Sequence, residues 1–275
     1  MKRVSRFELL PMGRSEEQAA QLNTSVNLTV ACSPRLGPDR SVEVARRLSL
    51  LGHSVAVNLA PRMVRDSAHL DRLLAAVAQA GVDDVLLIGG DATPPHGPYH
   101  SAADLLPIVH EHPQRPTDIG IAGYPEGHPL IDSRALTDIL ERKSALATYI
   151  TTQLCFDAEA LLTWLTETRE RGVALPVRVG LPGVVDRRRL LEISMRIGVG
   201  PSLGFLRKQR GLRSLLARSR VTPDRIYDAL LPGLEDRPGL NVTGFHYYTF
   251  NQLVDTWKWE REKRGPVLLD KAVTT

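Results

Sequence analysis

Eight short apolar runs alternate with amphipathic helical segments along this chain, and this alternation limits the possible folds more than any other feature. Short apolar runs that stop at glycine or proline are typical of buried strands, and the helices between them supply the crossovers that parallel strands need. The pattern favours an α/β fold, a (β/α)8 TIM barrel in a single domain. A doubly wound open sheet is the competing fold, because strand number alone does not separate the two. The predicted strands are 6–11, 26–32, 54–60, 82–88, 119–122, 149–154, 175–183 with its loop, and 242–248.

Length and composition agree with one such barrel. A chain of 275 residues with 43% hydrophobic residues can bury a substantial core. The barrel is expected to span 1–265, with 266–275 as a C-terminal tail, since no Gly/Ser linker divides the chain. The predicted helices 186–197 and 203–220 are rich in arginine, and we interpret both as solvated helix faces, although the second could instead attract a phosphate.

Charge and cysteine usage narrow the functional classes. A net charge of +4 and a pI near 9.2 mildly favour anionic ligands, but no basic stretch is interleaved with aromatic residues as a nucleic-acid surface requires. Cys32 and Cys155 lie in apolar runs without metal-ligand spacing, so we expect buried free thiols and no metal site. No apolar run approaches the length of a membrane span, and the first residues lack a signal-peptide core. A cytoplasmic protein is the expectation.

The stretch GIAGYPEGHP at 120–129 is the clearest candidate for a functional loop. A buried strand ends there, and the loop then presents Tyr124, Glu126 and His128 within five residues. Polar, ionisable side chains at the carboxyl end of a strand are where α/β enzymes place their chemistry. An ordinary solvated loop is the alternative interpretation.

Three further polar residues fall within or just after predicted strands. Glu8 is a carboxylate inside an apolar strand, which is costly unless it is paired or functional. An inward orientation would suit a general acid, whereas a solvent-facing position on an edge strand is the alternative. Asp91 follows Gly89-Gly90 and could contact a ligand or simply cap a turn. Gln153 places an amide in a run that otherwise looks buried, so it needs a hydrogen-bond partner.

These residues belong to motifs that resemble the methylenetetrahydrofolate reductase family over most of the chain. The stretch at 122–129, AGYPEGHP, is close to identical to that family's motif. The other resemblances are Phe7-Glu8 with Pro11 to "FEFFPP", Leu28-Thr29-Val30 to the second-strand motif, Gly90-Asp91 with Pro94-Pro95 to "RGDPP", 152–157 to "TQLFFD", and 244–251 to "GIHFYTLN".

The resemblance implies a barrel enzyme that reduces methylenetetrahydrofolate to methyltetrahydrofolate with a reduced nicotinamide. Glu8 matches the family's general acid, which helps to protonate a ring nitrogen as the methylene bridge opens to an iminium that accepts hydride. By the same resemblance, the substrate-binding residues are Asp91, Gln153, Tyr124, Phe156 and Tyr248. The cofactor-binding residues it implies are Thr29, Asn58, Gly89, Gly90, Ala122, Glu126 and His128.

Three departures from the family pattern bear on the cofactor. Gly89 stands where flavin-binding members usually carry arginine, Asn58 where they carry histidine, and Gln252 where arginine or lysine is common. Loss of an arginine and a histidine should weaken a site for a phosphate-rich cofactor such as FAD. We therefore favour direct hydride transfer from NADH, or from NADPH, without flavin.

Other functions of the same fold stay open at this point. They are an FAD-dependent reductase with a weakened flavin site, a tetrahydrofolate-dependent demethylase or methyltransferase, and a folate-binding or regulatory paralogue without activity. A retained Glu8 argues against the last, because a pure binding protein has little use for a buried acid. The expected partners are methylenetetrahydrofolate and a nicotinamide nucleotide, with no nucleic acid and no membrane. The sequence does not decide whether the protein is a homo-oligomer.

Overall fold

Eight parallel strands close into a barrel in the computed structural model, which describes residues 4–90, 92–128, 130–186 and 220–264. The barrel strands are β1 Val4–Leu9, β2 Asn27–Val30, β3 Ser54–Leu59, β4 Asp84–Leu87, β5 Asp118–Gly123, β6 Tyr149–Thr152, β7 Val177–Pro182 and β10 Val242–Tyr248. They follow one another around the barrel in chain order, and β10 closes the sheet by pairing with β1 and β7. The closed sheet confirms the predicted (β/α)8 barrel and makes the open doubly wound sheet wrong.

Helices connect the strands on the outside of the barrel. Those in the described residues are α1 Ser15–Ala20, α2 Gly37–Leu50, α3 Ser67–Gln79, α4 Ala102–Glu111, α5 Ser133–Ser144, α6 Ala158–Glu170, α7 Asp224–Glu235 and α8 Leu253–Arg264. Short 3₁₀ turns occupy Pro61–Met63 and Pro238–Leu240. Two short antiparallel strands, β8 Val185–Asp186 and β9 Arg220–Val221, were not predicted. Nearly all of the predicted helices 186–197 and 203–220, and the predicted tail 266–275, lie outside the described residues.

Side chains along each strand alternate between two buried regions, the core between the sheet and the helices and the inside of the barrel. On β3, Val55, Val57 and Leu59 are buried in the hydrophobic core that the strands share with the surrounding helices. The residues between them, Ala56 and Asn58, point the other way, into the barrel, because successive strand side chains face opposite sides of a sheet. Apolar residues thus pack the helices against the barrel, while small and polar residues line the inside of the barrel.

A polar network fills the lower half of the barrel interior, towards the amino ends of the strands. Asp84 on β4 accepts from two guanidinium groups, Arg6 Nη2 at 2.9 Å and Arg178 Nη1 at 3.2 Å. The hydroxyl of Tyr149 donates to the second carboxylate oxygen at 2.5 Å, and Arg178 lies over the Tyr149 ring, 3.7 Å from its centroid. Burial lowers the pKa of Arg6 and raises that of Tyr149. This network keeps ligands out of the lower barrel.

Gly120 makes room for that network. A Cβ atom at this position would lie 2.2 Å from the Tyr149 ring, a distance that no real side chain tolerates. Gly120 and Tyr149 are partners in the β5–β6 ladder, so the glycine on one strand accommodates the phenol on the next. The first glycine of the GIAGYPEGHP stretch therefore has a packing role in the barrel.

Two sequence predictions need correction. Helix α4 begins at Ala102 and not at Tyr99, because Ser101 and Asp104 form a reciprocal capping box that starts the helix there. Cys155 is buried as predicted, whereas Cys32 is only half-buried because it lies beyond the end of β2. Burial nevertheless raises the pKa of the Cys32 thiol to about 11, so the thiol stays protonated at neutral pH.

The described ranges contain neither a helix that could cross a membrane nor a cluster of metal-binding side chains. No helix there is long and apolar enough to cross a membrane. Within the same ranges, no group of three or more His, Cys, Asp or Glu side chains could hold a metal ion.

Candidate active site

Most of the predicted site residues lie at the carboxyl ends of the barrel strands. In the strand ladders, Glu8 on β1 pairs with Thr29 on one side and with Tyr248 on the other. Asn58 reaches Glu8 from β3, two strands away. The fold therefore brings together residues up to 240 positions apart in the chain, with Glu8 at their centre.

Glu8 is held inside the barrel by two neighbours that contact the same oxygen. Asn58 Nδ2 donates to Glu8 Oε2 at 3.3 Å, and His246 Nε2 lies 3.4 Å from that oxygen. The Glu8 side chain is 14% exposed, so it faces an inner space and not bulk solvent. A closed barrel has no edge strand, which makes the solvent-facing alternative for Glu8 wrong. Both contacts engage Oε2, and Oε1 makes no hydrogen bond with the described residues.

His246 is the site residue that sequence reasoning missed. It lies on β10 two residues before Tyr248, so both side chains point into the barrel. The sequence did contain a signal for it, because the eighth predicted strand places this histidine among aromatic residues. Without the register, nothing in the sequence indicated that this histidine faces Glu8 across the β1–β10 pair.

Tyr248 forms a neutral wall beside Glu8. Its hydroxyl donates to the backbone carbonyl of Thr152 at 3.0 Å. Burial raises the pKa of Tyr248 far above its ordinary value, and the nearby charge of Glu8 raises it further. The phenol therefore stays protonated and neutral at neutral pH.

Three buried polar atoms around Glu8 have no partner among the described residues: Thr29 Oγ1, Asn58 Oδ1 and His246 Nδ1. Buried polar groups in proteins are almost always hydrogen-bonded. Polar atoms left without a protein partner are suited to a polar ligand. Cofactor binding by Thr29 and Asn58 stays a prediction.

The loop after β4 approaches the loop after β5 through Gly89. A Cβ atom on Gly89 would lie 4.0 Å from the hydroxyl of Tyr124. The next residue, Gly90, has a φ of +80°, and a Cβ there would lie 2.8 Å from that of Ala60. Glycine is thus required at position 90 for two reasons. Its positive φ disfavours other residues, and a Cβ atom there would clash with Ala60. Asp91, the predicted pterin-binding carboxylate, lies outside the described residues.

Glu126 and His128 help to shape the loop that carries them. Glu126 Oε1 accepts from the backbone amides of Phe156 at 2.5 Å and Asp157 at 2.8 Å, which ties the β5 loop to the start of α6. Burial raises the pKa of Glu126. His128 Nδ1 accepts from the amide of Leu130 at 3.2 Å, and its ring packs edge-on against Tyr124. The structure thus gives both residues structural contacts, and their predicted cofactor contacts stay a prediction.

The remaining predicted residues surround this site from β5 and β6. Ala122 lies in β5 and pairs with Thr151 of β6. Gln153 is half-buried and lies just beyond the end of β6, so it is not inside a strand as predicted. Its side-chain amide makes no hydrogen bond with the described residues, which leaves its donor and acceptor available to a ligand. Phe156 is half-buried in the same loop.

Comparisons with known proteins agree with the motif resemblance. The family model for methylenetetrahydrofolate reductase matches residues 41–194. Methylenetetrahydrofolate reductase 2 of Saccharomyces cerevisiae is 27% identical over 158 residues, which cover 52% of this chain and 25% of that protein. Methylenetetrahydrofolate reductase (NADH) 1 of Arabidopsis thaliana is 26% identical over 145 residues, covering 46% of this chain and 24% of that protein. The chain thus matches about a quarter of the length of these relatives.

A solved structure supports the fold over nearly the whole chain. An uncharacterized protein from Clostridium thermocellum, described as binding two copies of 5-methyl-5,6,7,8-tetrahydrofolic acid, aligns with a TM-score of 0.61 and 13% identity. The alignment covers 94% of this chain and 96% of that one. At this identity the likeness concerns the fold alone. The family match extends over more than half of the chain. It includes three of the predicted site residues, Asn58, Gly89 and Gln153. The chain belongs to the methylenetetrahydrofolate reductase family.

Proposed function

We propose that this protein reduces 5,10-methylenetetrahydrofolate to 5-methyltetrahydrofolate with hydride taken directly from NADH or NADPH. The observation that carries the proposal is Glu8, a carboxyl group inside the barrel with one oxygen engaged by Asn58 and His246 and the other without a hydrogen bond to the described residues. A carboxyl group placed in this way is suited to give a proton to a bound substrate.

Glu8 acts on the methylene bridge of the folate. Its Oε1 proton passes to the ring nitrogen that the bridge leaves, and the carbon–nitrogen bond breaks with its electron pair going to that nitrogen. The bridge carbon becomes an iminium, which accepts hydride from the reduced nicotinamide to form the methyl group. The products are 5-methyltetrahydrofolate and the oxidised nicotinamide, and Glu8 regains its proton from solvent.

Direct transfer is supported by the residues that occupy the flavin-related positions. Asn58 is engaged by Glu8, and Gly89 offers no cation to a pyrophosphate. Arg62, which lies against Gly90, donates to the backbone carbonyls of Ala92 and His100. These residues do not fit the phosphate-rich FAD. Hydride transfer requires donor and acceptor carbons in near contact, so the nicotinamide ring would lie against the folate.

Gln153 and Phe156 are suited to hold the folate. The amide of Gln153 offers both a donor and an acceptor to a pterin edge, and Phe156 offers an aromatic surface in the same loop. Asp91 follows β4 in the chain and would complete the polar contacts to the pterin.

The cofactor proposal is tested by anaerobic oxidation of NADH, and separately of NADPH, by purified protein given methylenetetrahydrofolate. We expect turnover without added FAD, no increase when FAD is added, and no stoichiometric flavin in the purified protein. Turnover that depends on FAD would overturn direct transfer and leave an ordinary flavoenzyme of the family. Absence of turnover with both nucleotides would favour the methyl-transfer or regulatory alternatives.

Removal of the His246 contact with Glu8 should slow the reaction without weakening folate binding. His246→Leu is expected to lower kcat by about 10- to 100-fold, a loss of about 1.4–2.7 kcal/mol of transition-state stabilisation. His246→Gln keeps a side-chain N–H and should retain most of the activity. Steady-state kinetics over a range of pH would measure kcat, the folate KM and the acid limb of the profile. Equal losses in the two variants, or a change confined to KM, would contradict a role in orienting Glu8.

A further inference from the structure

A groove of about 460 Å³ lies outside the barrel, between α5 and α6. Tyr124 and Pro125 line it from the loop after β5. The helices contribute Ser133 and Thr137 of α5 and Thr163 and Trp164 of α6. This volume lies within the range of small-molecule sites in proteins, about 300–1,000 Å³. The lining combines aromatic rings with several hydroxyl groups, which suits a flat, hydroxylated ligand.

The α6 side of the groove is negatively charged. Asp157 caps the helix by accepting from the amides of Glu159 at 3.0 Å and Ala160 at 3.1 Å. Glu159 and Glu167 also line the groove, are exposed, and form no ion pair with the described residues. Uncompensated carboxylates disfavour a ligand group that is itself anionic, such as the glutamate tail of a folate or a phosphate on a ribose.

One side chain belongs to both the groove and the barrel mouth. Tyr124 lines the groove, and its hydroxyl comes within 4.0 Å of the Cβ position of Gly89 at the carboxyl end of β4. A ligand with one end in the barrel mouth can therefore place its other end in the groove by passing Tyr124.

We propose that this groove binds the adenosine half of the nicotinamide dinucleotide. The inference rests on the proposed function, which requires such a nucleotide at the barrel mouth. Carboxylates are suited to accept hydrogen bonds from the 2′- and 3′-hydroxyls of a ribose, and aromatic rings provide a surface for adenine. Since Glu159 and Glu167 would repel a 2′-phosphate, the groove selects NADH over NADPH.

The test measures binding of ADP-ribose and of its 2′-phosphorylated form to the full chain by isothermal titration calorimetry. Neither probe carries a nicotinamide, so the result does not depend on hydride transfer. We expect ADP-ribose to bind at least about tenfold more tightly than the 2′-phosphorylated form, the equivalent of about 1.4 kcal/mol. Equal affinities, or preference for the phosphorylated probe, would overturn the assignment.

Two variants locate the binding to the groove. Glu167→Lys should reverse the preference between the probes, and Thr163→Trp should fill the groove and weaken both at least about tenfold. Glu170→Lys is the matched control, because Glu170 is an exposed glutamate on the same helix that does not line the groove, and it should behave as wild type. Unchanged binding in Glu167→Lys and Thr163→Trp, or an effect of Glu170→Lys as large as theirs, would overturn the proposal.

The same measurements separate this inference from the proposed function. If ADP-ribose binds as expected but methylenetetrahydrofolate is not reduced, the groove holds a nucleotide and the reductase proposal fails. If reduction proceeds with NADH while the groove variants leave ADP-ribose binding and the NADH to NADPH ratio of kcat/KM unchanged, the groove assignment fails and the reductase proposal stands.

Discussion

Turnover by the Glu8→Gln variant is expected to fall about 100- to 10,000-fold, the usual contribution of a positioned general acid. Glutamine has nearly the size of glutamate, and its carbonyl oxygen can still accept from Asn58 and His246, so the barrel interior should keep its shape. It has no acidic proton to give to the folate nitrogen. We therefore expect the loss in kcat, while 5-methyltetrahydrofolate still binds with nearly unchanged affinity.

The experiment compares initial rates of NADH oxidation with equilibrium binding of 5-methyltetrahydrofolate. Glu17→Gln is a matched control, because Glu17 is 61% exposed on α1 and its ion pair with Arg14 lies on the surface. Turnover by Glu8→Gln at the level of this control would contradict the acid role. Loss of binding together with turnover would show that Glu8 holds the substrate and does not merely protonate it.

Replacing Asp84 with asparagine should lower the free energy of unfolding by about 3–5 kcal/mol, the usual cost of removing one partner from a buried ion pair. The carboxylate of Asp84 is 9% exposed and compensates both Arg6 and Arg178 inside the barrel. Asparagine keeps the shape but leaves two guanidinium groups without their shared anion. A domain is typically stable by only about 5–15 kcal/mol, so this one substitution removes a large share.

Equilibrium unfolding in urea at neutral pH would measure the loss. Asp71→Asn is the control, because the Asp71 carboxylate is 63% exposed and contacts His112 on the surface. Its effect is expected to stay below about 1 kcal/mol, as for other surface pairs. An Asp84→Asn variant as stable as Asp71→Asn would contradict the view that the lower barrel depends on this carboxylate.

The chain by itself determined the features that are local. Short apolar runs located all eight barrel strands, because a strand buried between helices on one side and the barrel interior on the other needs few exposed polar residues. Motifs within short segments, such as 122–129, pointed to the family and to Glu8. The capping box at Ser101 was also local, and it could have corrected the predicted start of α4.

Tertiary structure alone decided which side chains meet. Glu8 contacts Asn58 from 50 positions away and His246 from 238 away, and Asp84 contacts Arg178 across 94 positions. Such contacts depend on barrel closure and on strand register, and a shift of one residue would turn each side chain to the opposite face. The groove between α5 and α6 likewise results from how two helices pack outside the barrel. No periodicity along the chain encodes these distances. Glu8 could therefore be singled out from the sequence, whereas its contacts with Asn58 and His246 required the fold.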